Sequence, residues 1–176
     1  METIVLGGGC FWCTEAVFKE LRGIHSVTPG YAGGTSKSPS YEEVCSGKTG
    51  HAQVIRVEFD PKVISLKDIL TVFFATHDPT SLNRQGNDVG TQYRSIVLCT
   101  DAAQKDAVEK YVANLKKKQN IVTEIKMLDT FYEAEGYHKE YYERNTTQPY
   151  CQIIIAPKLR HLKEEFSKII KDKGPA

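Results

Sequence analysis

The stretch GGGCFWCTEAVF, residues 7–18, determines how this chain begins to fold and where its most reactive group lies. The short apolar run before it, residues 4–6, predicts a buried strand. Within and after it, Ala16, Val17 and Leu21 recur at helical spacing. The stretch therefore predicts a strand, a glycine turn and a helix, in that order.

This order puts Cys10 at or near the N-terminus of the predicted helix. The unpaired backbone N–H groups and the dipole at a helix start favour an anion, and a thiolate is one. A cysteine in such a place can have its pKa lowered well below the free value of about 8.5. The glycines let the backbone turn sharply and approach a ligand closely. We therefore expect Cys10 to be a nucleophile near neutral pH.

Composition limits the class of protein. A chain of 176 residues suits one domain, residues 1–176, with a core that needs no disulfide bonds. The 23 basic and 22 acidic residues leave a net charge of +1, which argues against nucleic-acid or acidic-membrane partners. We see no membrane-spanning run and no secretory signal. Five cysteines are an odd number, and a chain of this size needs no disulfide bonds. We therefore expect the cytoplasm, where thiols stay reduced.

The rest of the chain carries strand and helix signals without repeats or linkers. Residues 28–41 and 78–93 are predicted loops, rich in turn-forming and polar residues. Strands are predicted at 52–61, 94–100 and 121–128, and helices at 65–77, 101–118, 133–145 and 158–173. The elements do not alternate regularly enough for an all-parallel sheet. We predict an α+β fold of two layers, a mixed sheet with helices packed on it.

The long loops supply polar and aromatic side chains near the Cys10 turn. Loops of this length in a compact domain tend to be functional. Phe11 and Trp12 would form an apolar wall beside the thiol, and the phenols would donate hydrogen bonds or a proton. The polar candidates are Tyr41, His51, Gln53, Asn87, Asp88, Gln92 and Tyr93.

Taken together, the main motifs resemble the type A peptide methionine sulfoxide reductases. They occur in order over nearly the whole chain: GGGCFWCTEAVF, PSYEEVCSGKTGHAQV (39–54), HDPTSLNRQGNDVGTQYRS (77–95), FYEAEGYHKEYYERN (131–145) and QPYCQIIIAPKL (148–159). Membership would imply reduction of the S epimer of methionine sulfoxide, free or in proteins, which is a repair reaction. It would also imply a ferredoxin-like α+β core.

The resemblance implies a role for each matching position. It places the nucleophile at Cys10, the pocket for the substrate methyl group at Phe11 and Trp12, and polar substrate positions at Tyr41, Asp88 and Tyr93. A sulfoxide sulfur is a poor electrophile until its oxygen is protonated or strongly hydrogen-bonded, so thiolate and donors are both needed. Attack would release methionine and leave a sulfenic acid, which a second thiol converts to a disulfide. An external dithiol such as thioredoxin would reduce it, without metal, flavin or nicotinamide.

One departure from the family pattern concerns the proton. The family usually has Glu after GHA, where this chain has Gln53, and an amide cannot deliver a proton at neutral pH. The proton would then come from a tyrosine, water or another acid. His51 borders this position, and we expect it in the substrate-binding loop. Glu15, in the first helix, is expected to be structural.

The other departure concerns recycling. Many relatives carry resolving cysteines in a glycine-rich C-terminal tail, whereas this chain ends in a charged helix without cysteine. Cys13 forms a CxxC pair with Cys10 and is the first candidate, followed by Cys151 and Cys45. Alternatively, Cys13 only packs against the sheet and small thiols attack the sulfenic acid. Cys99 lies in an apolar strand and is expected in the core.

Two other classes of function remain as alternatives. A general dithiol oxidoreductase using Cys10 and Cys13 would show a thioredoxin-like βαβ start and a proline loop facing the motif. A zinc-binding module would need a second ligand pair at zinc spacing, which the remaining cysteines do not provide.

Overall fold

A six-stranded sheet forms the centre of the computed structural model, which describes residues 1–172. Its strands are β1 (Glu2–Gly7), β2 (Ile24–Ala32), β3 (Ala52–Phe59), β6 (Ile96–Cys99), β7 (Glu124–Met127) and β8 (Tyr132–Glu133). They lie in the order β7-β6-β1-β3-β2-β8, and only the β6–β7 pair is parallel. Two short strands, β4 (Arg84–Gln85) and β5 (Asp88–Val89), form a separate ribbon.

Helices connect the strands and cover one face of the sheet. They are α1 (Phe11–Lys19), α2 (Tyr41–Cys45), α3 (Leu66–Ala75), α4 (Ala102–Lys116), α5 (Tyr141–Arg144) and α6 (Ala156–Glu165). A turn of π-helix, Cys151–Ile155, leads directly into α6, and 3₁₀ turns lie at Thr91–Tyr93, Gly136–His138 and Ser167–Ile169. Ser65 begins α3 by accepting the N–H of Asp68, as a helix N-cap does.

The central four strands give the fold its class. In chain order β1, α1, β2, β3, α3 and β6 form a βαββαβ unit whose strands lie in the order β6-β1-β3-β2 and are all antiparallel. This is ferredoxin-like topology. The predicted α+β fold with a mixed sheet is confirmed.

The period-two pattern of β1 sends its side chains to two cores. Ile4 and Leu6 belong to the large core under the helices, while Val5 lies on the opposite face. Leu128 and Phe131 cover that second face. Because β1 ends under α1 in the helix-covered layer, the glycine turn that follows it opens onto the same layer.

Strand β2 is the longest of the strands that the sequence analysis missed; the short strands β4, β5 and β8 are the others. Residues 28–32, expected to be loop, belong to β2, which pairs with β3 along its whole length. Pro29 lies inside this strand although proline lacks an N–H. Its carbonyl accepts the N–H of Ala134 on the β8 side, and its own missing N–H would face the same side. The β2–β3 ladder therefore loses nothing at this position.

The predicted helices at the C-terminal end are also corrected. Residues 133–145 contain β8, a 3₁₀ turn and the four-residue α5 instead of one helix, since Glu140 has a left-handed backbone (φ +57°). The last helix ends at Glu165 rather than continuing to 173. Lys173, its predicted end, and the last residues of the expected domain lie outside the described residues.

Across residues 1–172, none of the helices is both long enough and apolar enough to cross a membrane.

Candidate active site

Cys10 is the N-cap residue of α1, directly after the glycine turn that follows β1. Its carbonyl accepts the N–H of Cys13 at 3.1 Å, which closes the first turn of the helix. The turn passes through a crowded space: a Cβ on Gly8 would lie 2.8 Å from the His77 ring, and one on Gly9 would lie 2.9 Å from Gln85. Gly9 also has φ +95°, which favours glycine. The three glycines thus set the position of the thiol.

The expected lowering of the Cys10 pKa is wrong for this structure. Cys10 is only 8% exposed, and burial raises its pKa well above the ordinary value. Cys13 and Asp88 raise it further, while the Trp12 N–H and the Tyr150 hydroxyl oppose the rise. The helix start therefore supplies a donor, but desolvation outweighs it.

Gln53 lies on β3 beside this turn and is 1% exposed. Its Oε1 accepts the backbone N–H of Phe11 at 3.2 Å, which fixes the amide against the start of α1. Its Nε2 has no hydrogen-bond partner among the residues described. Burying an amide N–H without a hydrogen-bond partner costs free energy. This group is therefore suited to donate to the oxygen of a molecule bound beside Phe11.

Tyr41 and Tyr93 supply two half-buried phenols. Tyr41 begins α2, where its N–H donates to Glu135, and its ring stacks on Phe11 at a centroid distance of 6.5 Å. Burial raises the pKa of Tyr41 above its ordinary range, and Cys45 and Cys10 add to the rise. Burial also raises the pKa of Tyr93 to about 12. Both hydroxyls therefore keep their protons at neutral pH and can donate them in hydrogen bonds.

Trp12 lies in an aromatic cluster with Tyr141, Tyr150 and His138. Its indole stacks on Tyr141 with centroids 3.7 Å apart and planes within 7°, and the edge of Tyr150 meets it at 5.8 Å. The indole Nε1–H donates to Nδ1 of His138 at 3.0 Å. His138 is fully buried and also contacts the ring of Phe11. Phe11 and Trp12 thus form an apolar wall beside Cys10.

Asp88 joins the site through Tyr150. The Tyr150 hydroxyl donates to Oδ2 of Asp88 at 2.9 Å and lies 3.6 Å from the sulfur of Cys13. Because the single hydroxyl proton goes to Asp88, the thiol of Cys13 is the donor of the second bond. Burial raises the pKa of Cys13, whereas the positive charge of Lys158 opposes the rise.

The other cysteines fall into three places. Cys151 is fully buried next to Tyr150 and close enough to Cys13 to raise its pKa. Cys45 is half-buried with its thiol against the Tyr41 hydroxyl. Cys99 is buried in β6, where burial raises its pKa to about 11, and the core position predicted for it is confirmed. All five cysteines are free thiols.

A cavity of about 700 Å³ opens onto the cysteine pair. Cys10, Cys13, Asp88 and Tyr150 line it on one side, and the π-helical turn and α6 line it on the other. Tyr41, Gln53 and Tyr93 lie outside it. Cys10 therefore stands between an open cleft and the group of phenols and amide.

His51 does not join these residues. Its Nδ1 accepts the N–H of Gly34 at 3.0 Å and its Nε2 bonds to the Ser36 carbonyl at 2.6 Å. Both ring nitrogens are therefore used to hold the Gly34–Ser36 loop. Of the remaining polar candidates, Asn87 lines the cavity, and Gln92 bonds to the Cys45 carbonyl.

Sequence analysis did not identify several residues of the site. Tyr150 is one of them, and the others, Glu135, His138 and Tyr141, lie in residues 133–145, which were predicted as one helix. Their signal was the run of aromatic and acidic residues in FYEAEGYHKEYYERN, which the wrong helical period disguised. In the described part of the chain, no three His, Cys, Asp or Glu side chains are grouped to hold a metal ion.

Comparisons of the sequence identify relatives over nearly its whole length. The family model described as "Peptide methionine sulfoxide reductase" matches residues 2–170. "Peptide methionine sulfoxide reductase MsrA" of Trichodesmium erythraeum is 54% identical over 170 residues, covering 94% of this chain and 96% of the relative. The protein of the same name from Saccharolobus solfataricus is 49% identical over 175 residues, covering 98% of this chain and 97% of the relative.

Solved structures give the same result for the fold. Mxr1 from Saccharomyces cerevisiae in reduced form superposes with a TM-score of 0.81 at 36% identity, covering 85% of this chain and 88% of that one. The same yeast protein has been solved in complex with Trx2, and that chain superposes with a TM-score of 0.57 at 26% identity, covering 80% of this chain and 84% of the other.

Proposed function

The chain belongs to the peptide methionine sulfoxide reductase family, and we propose that Cys10 carries out the reaction, the reduction of the S epimer of methionine sulfoxide to methionine. The observation that supports this assignment is the position of the thiol. Cys10 caps α1 next to the apolar rings of Phe11 and Trp12, and the protonated donors Tyr41 and Tyr93 lie near enough to interact with it. A methyl sulfoxide matches these two kinds of neighbour, because its methyl group is apolar and its oxygen is a strong hydrogen-bond acceptor.

The first step needs donors for the sulfoxide oxygen. We assign this role to the unpaired Nε2 of Gln53 and to the hydroxyls of Tyr41 and Tyr93. Hydrogen bonding to that oxygen makes the sulfur electrophilic. Cys10, which its raised pKa keeps as a thiol before substrate binds, loses its proton as its sulfur attacks. The oxygen then transfers from the substrate sulfur to Cys10: the substrate S–O bond and the transient bond between the two sulfurs break, and a new S–O bond forms on Cys10. Methionine leaves, and Cys10 carries the oxygen and a proton as a sulfenic acid.

The substrate wall is assigned to Phe11 and Trp12, and a polar substrate contact is assigned to Asp88, which lines the cavity beside Cys10. Trp12 is fixed on its far face by Tyr141, so that the wall is rigid before substrate binds. Asp88 is held by the Tyr150 hydroxyl at 2.9 Å. A preformed wall reduces the entropy cost of binding.

The second step requires a thiol that can reach the sulfenic acid. We propose Cys13, which is one helical turn from Cys10 and lies in the same buried cluster. Attack by its sulfur expels water and forms the Cys10–Cys13 disulfide. Cys151, buried beside Cys13, is the alternative resolving thiol, and Cys45 ranks third because its thiol lies against Tyr41.

The reductant is assigned by chemistry and by likeness. A protein disulfide is reduced by an external dithiol, and the yeast relative has been solved in complex with Trx2. We propose thioredoxin as the recycling partner, without further cofactor, and oxidised proteins, peptides or free methionine sulfoxide as substrates. Five free cysteines suit the cytoplasm, where thiols stay reduced. A general dithiol oxidoreductase was expected to begin with a thioredoxin-like βαβ unit, in which the two strands are neighbours. Here β3 lies between β1 and β2, which disfavours that alternative.

Cys10→Ser tests the assignment. With thioredoxin as reductant, the variant should lose turnover, whereas Cys99→Ala, which removes a buried thiol from β6, should retain it.

The intact enzyme should consume a mixture of the two sulfoxide epimers to about half and leave the R form, as chiral chromatography would show. Mass spectrometry after one turnover should map the disulfide to Cys10 and its partner. Multiple turnover by Cys10→Ser, or loss of the R epimer first, would contradict the proposal.

A further inference from the structure

Glu15 is a buried carboxylate that the reaction above does not use. It lies in α1, one turn beyond Trp12, and is 2% exposed. Burial raises its pKa, and the backbone N–H groups of Glu140 and Tyr141 oppose the rise. Oε1 accepts the N–H of Glu140 at 2.9 Å. Burying a carboxylate costs free energy unless it is well bonded, so this contact needs a structural purpose.

The segment that Glu15 bonds is residues 138–143, which we name the α1 strap. Glu140 has a left-handed backbone with φ +57°, a conformation that costs a non-glycine residue free energy. Its own side chain makes no cap bond to α5. The carboxylate of Glu15 therefore acts as the cap from another helix, and it holds the strap in its unfavourable turn.

The strap contacts a single face of α1. Trp12, Glu15 and Lys19 are spaced three and four residues apart, and neighbours at that spacing share a helix face. Trp12 stacks on Tyr141, and Lys19 forms ion pairs with Glu140 and Glu143 at 3.2 and 2.8 Å. The Lys19 pairs are partly exposed and contribute little, which leaves the buried Glu15 contact as the main polar attachment.

The other end of the α1 strap determines the orientation of the Trp12 indole. His138 accepts the Trp12 Nε1–H, and Tyr141 covers the indole face with parallel rings. Displacing the strap would remove both contacts together. The Trp12 ring would then turn about its χ angles, because these are its closest polar and stacking partners.

We propose that Glu15 is a positioning residue for substrate recognition, which fixes the α1 strap and through it the Trp12 indole. This inference rests on the proposed function, in which Trp12 is part of the wall for the substrate methyl group. Glu15 touches neither Cys10 nor the donors, so it acts on substrate binding rather than on the chemical step. Its loss should therefore raise KM and leave kcat nearly unchanged.

Trp12 is the only tryptophan of the chain, so its fluorescence reports the strap directly. In Glu15→Ala, we expect red-shifted emission, as the indole loses Tyr141 and His138, and a KM for a methionine sulfoxide peptide raised about tenfold with kcat within about twofold. Glu15→Gln keeps an oxygen that accepts the Glu140 N–H and should restore both values. Lys19→Ala and the exposed-surface variant Glu164→Ala are controls that should resemble the parent.

A second variant covers the case in which Glu15→Ala folds poorly. Glycine adopts the left-handed turn without strain, so Glu140→Gly in the Glu15→Ala background should recover part of the parent emission. Unchanged emission and KM in a folded Glu15→Ala variant would overturn the inference. So would a Glu15→Gln variant whose emission and KM are as strongly altered as those of Glu15→Ala. Fluorescence is read without substrate. Failure of the Cys10 assignment would therefore abolish neither the emission shift nor its rescue, and the two failures remain distinguishable.

Discussion

Gln53 sets the proton chemistry of the site through one atom. Its Oε1 is occupied by the Phe11 N–H, so that only the buried Nε2, which has no partner among the described residues, is left as a donor. An amide stabilises the sulfoxide oxygen but cannot protonate it. The phenols of Tyr41 and Tyr93 are the neighbouring acids, and their raised pKa values keep them protonated, so that they donate hydrogen bonds but give up a proton reluctantly. Proton delivery should then limit the first step.

Gln53→Glu should accelerate single-turnover release of methionine. The position is 1% exposed, so burial would raise the pKa of the new carboxyl and keep a fraction protonated near neutrality. The gain should grow as pH falls toward that pKa, because the protonated form is the acid. We expect roughly a tenfold gain, below the roughly hundredfold minimum typical of general acid catalysis, because only a fraction of the new carboxyl is protonated. Gln53→Leu is the control that should slow the step. An unchanged rate and pH profile in Gln53→Glu would mean that this side chain does not contact the reacting oxygen.

At the scale of elements, the glycine turn between β1 and α1 is held from two sides. His77 at the end of α3 limits the space beside Gly8, and Gln85 of β4 limits it beside Gly9. Gln85 itself accepts the Asp78 N–H at 2.9 Å, which links the loop after α3 to the ribbon. The position of Cys10 therefore depends on elements more than 60 residues away in the chain.

Gly9→Ala should cost both stability and activity. It combines φ +95° with a Cβ 2.9 Å from Gln85, so backbone strain and a clash act together. Gly47→Ala is a matched control, since Gly47 has φ +76° but no atom within 4 Å of a new Cβ. Strain alone should cost about 1 kcal/mol in Gly47→Ala, and Gly9→Ala should cost at least about 1 kcal/mol more. Equal losses in denaturant unfolding, or full activity in Gly9→Ala, would contradict the crowded turn.

How far sequence predicts structure also depends on the element. The β1–turn–α1 unit was predictable because its apolar periods and glycines are local signals. Strand β2 was not, because Pro29 is acceptable only where the sheet gives its missing N–H no strand partner, and that depends on β8. The α1 strap was misread as helix because Glu140 is held in its left-handed turn by Glu15, 125 residues earlier. Such contacts leave no pattern in a single sequence.

Across the whole molecule, a row of polar groups links the glycine turn to the start of β6 and to the segment before β7. The His77 ring bonds to the Phe73 carbonyl and to Ser95, and Ser95 bonds to Thr123 at 2.7 Å. This row joins α3 to β6 and to the segment before β7, behind the glycine turn. Burial lowers the pKa of His77 from 6.5 to about 4, so the ring is neutral at physiological pH.

The last prediction concerns acid stability. A histidine whose folded pKa lies below its unfolded value stabilises the fold above the unfolded pKa, and this contribution is lost as pH falls toward the folded pKa. For His77 the window runs from pH 6.5 down to about 4, and the shift corresponds to about 3 kcal/mol at most. His77→Asn keeps a donor for the Phe73 carbonyl but has no titratable ring, so its free energy of unfolding should fall less steeply across that window. His161→Asn, on the exposed face of α6, should follow the parent curve. Parallel curves for the parent and His77→Asn in urea unfolding from pH 7 to 4 would show that His77 is not the group that titrates on unfolding.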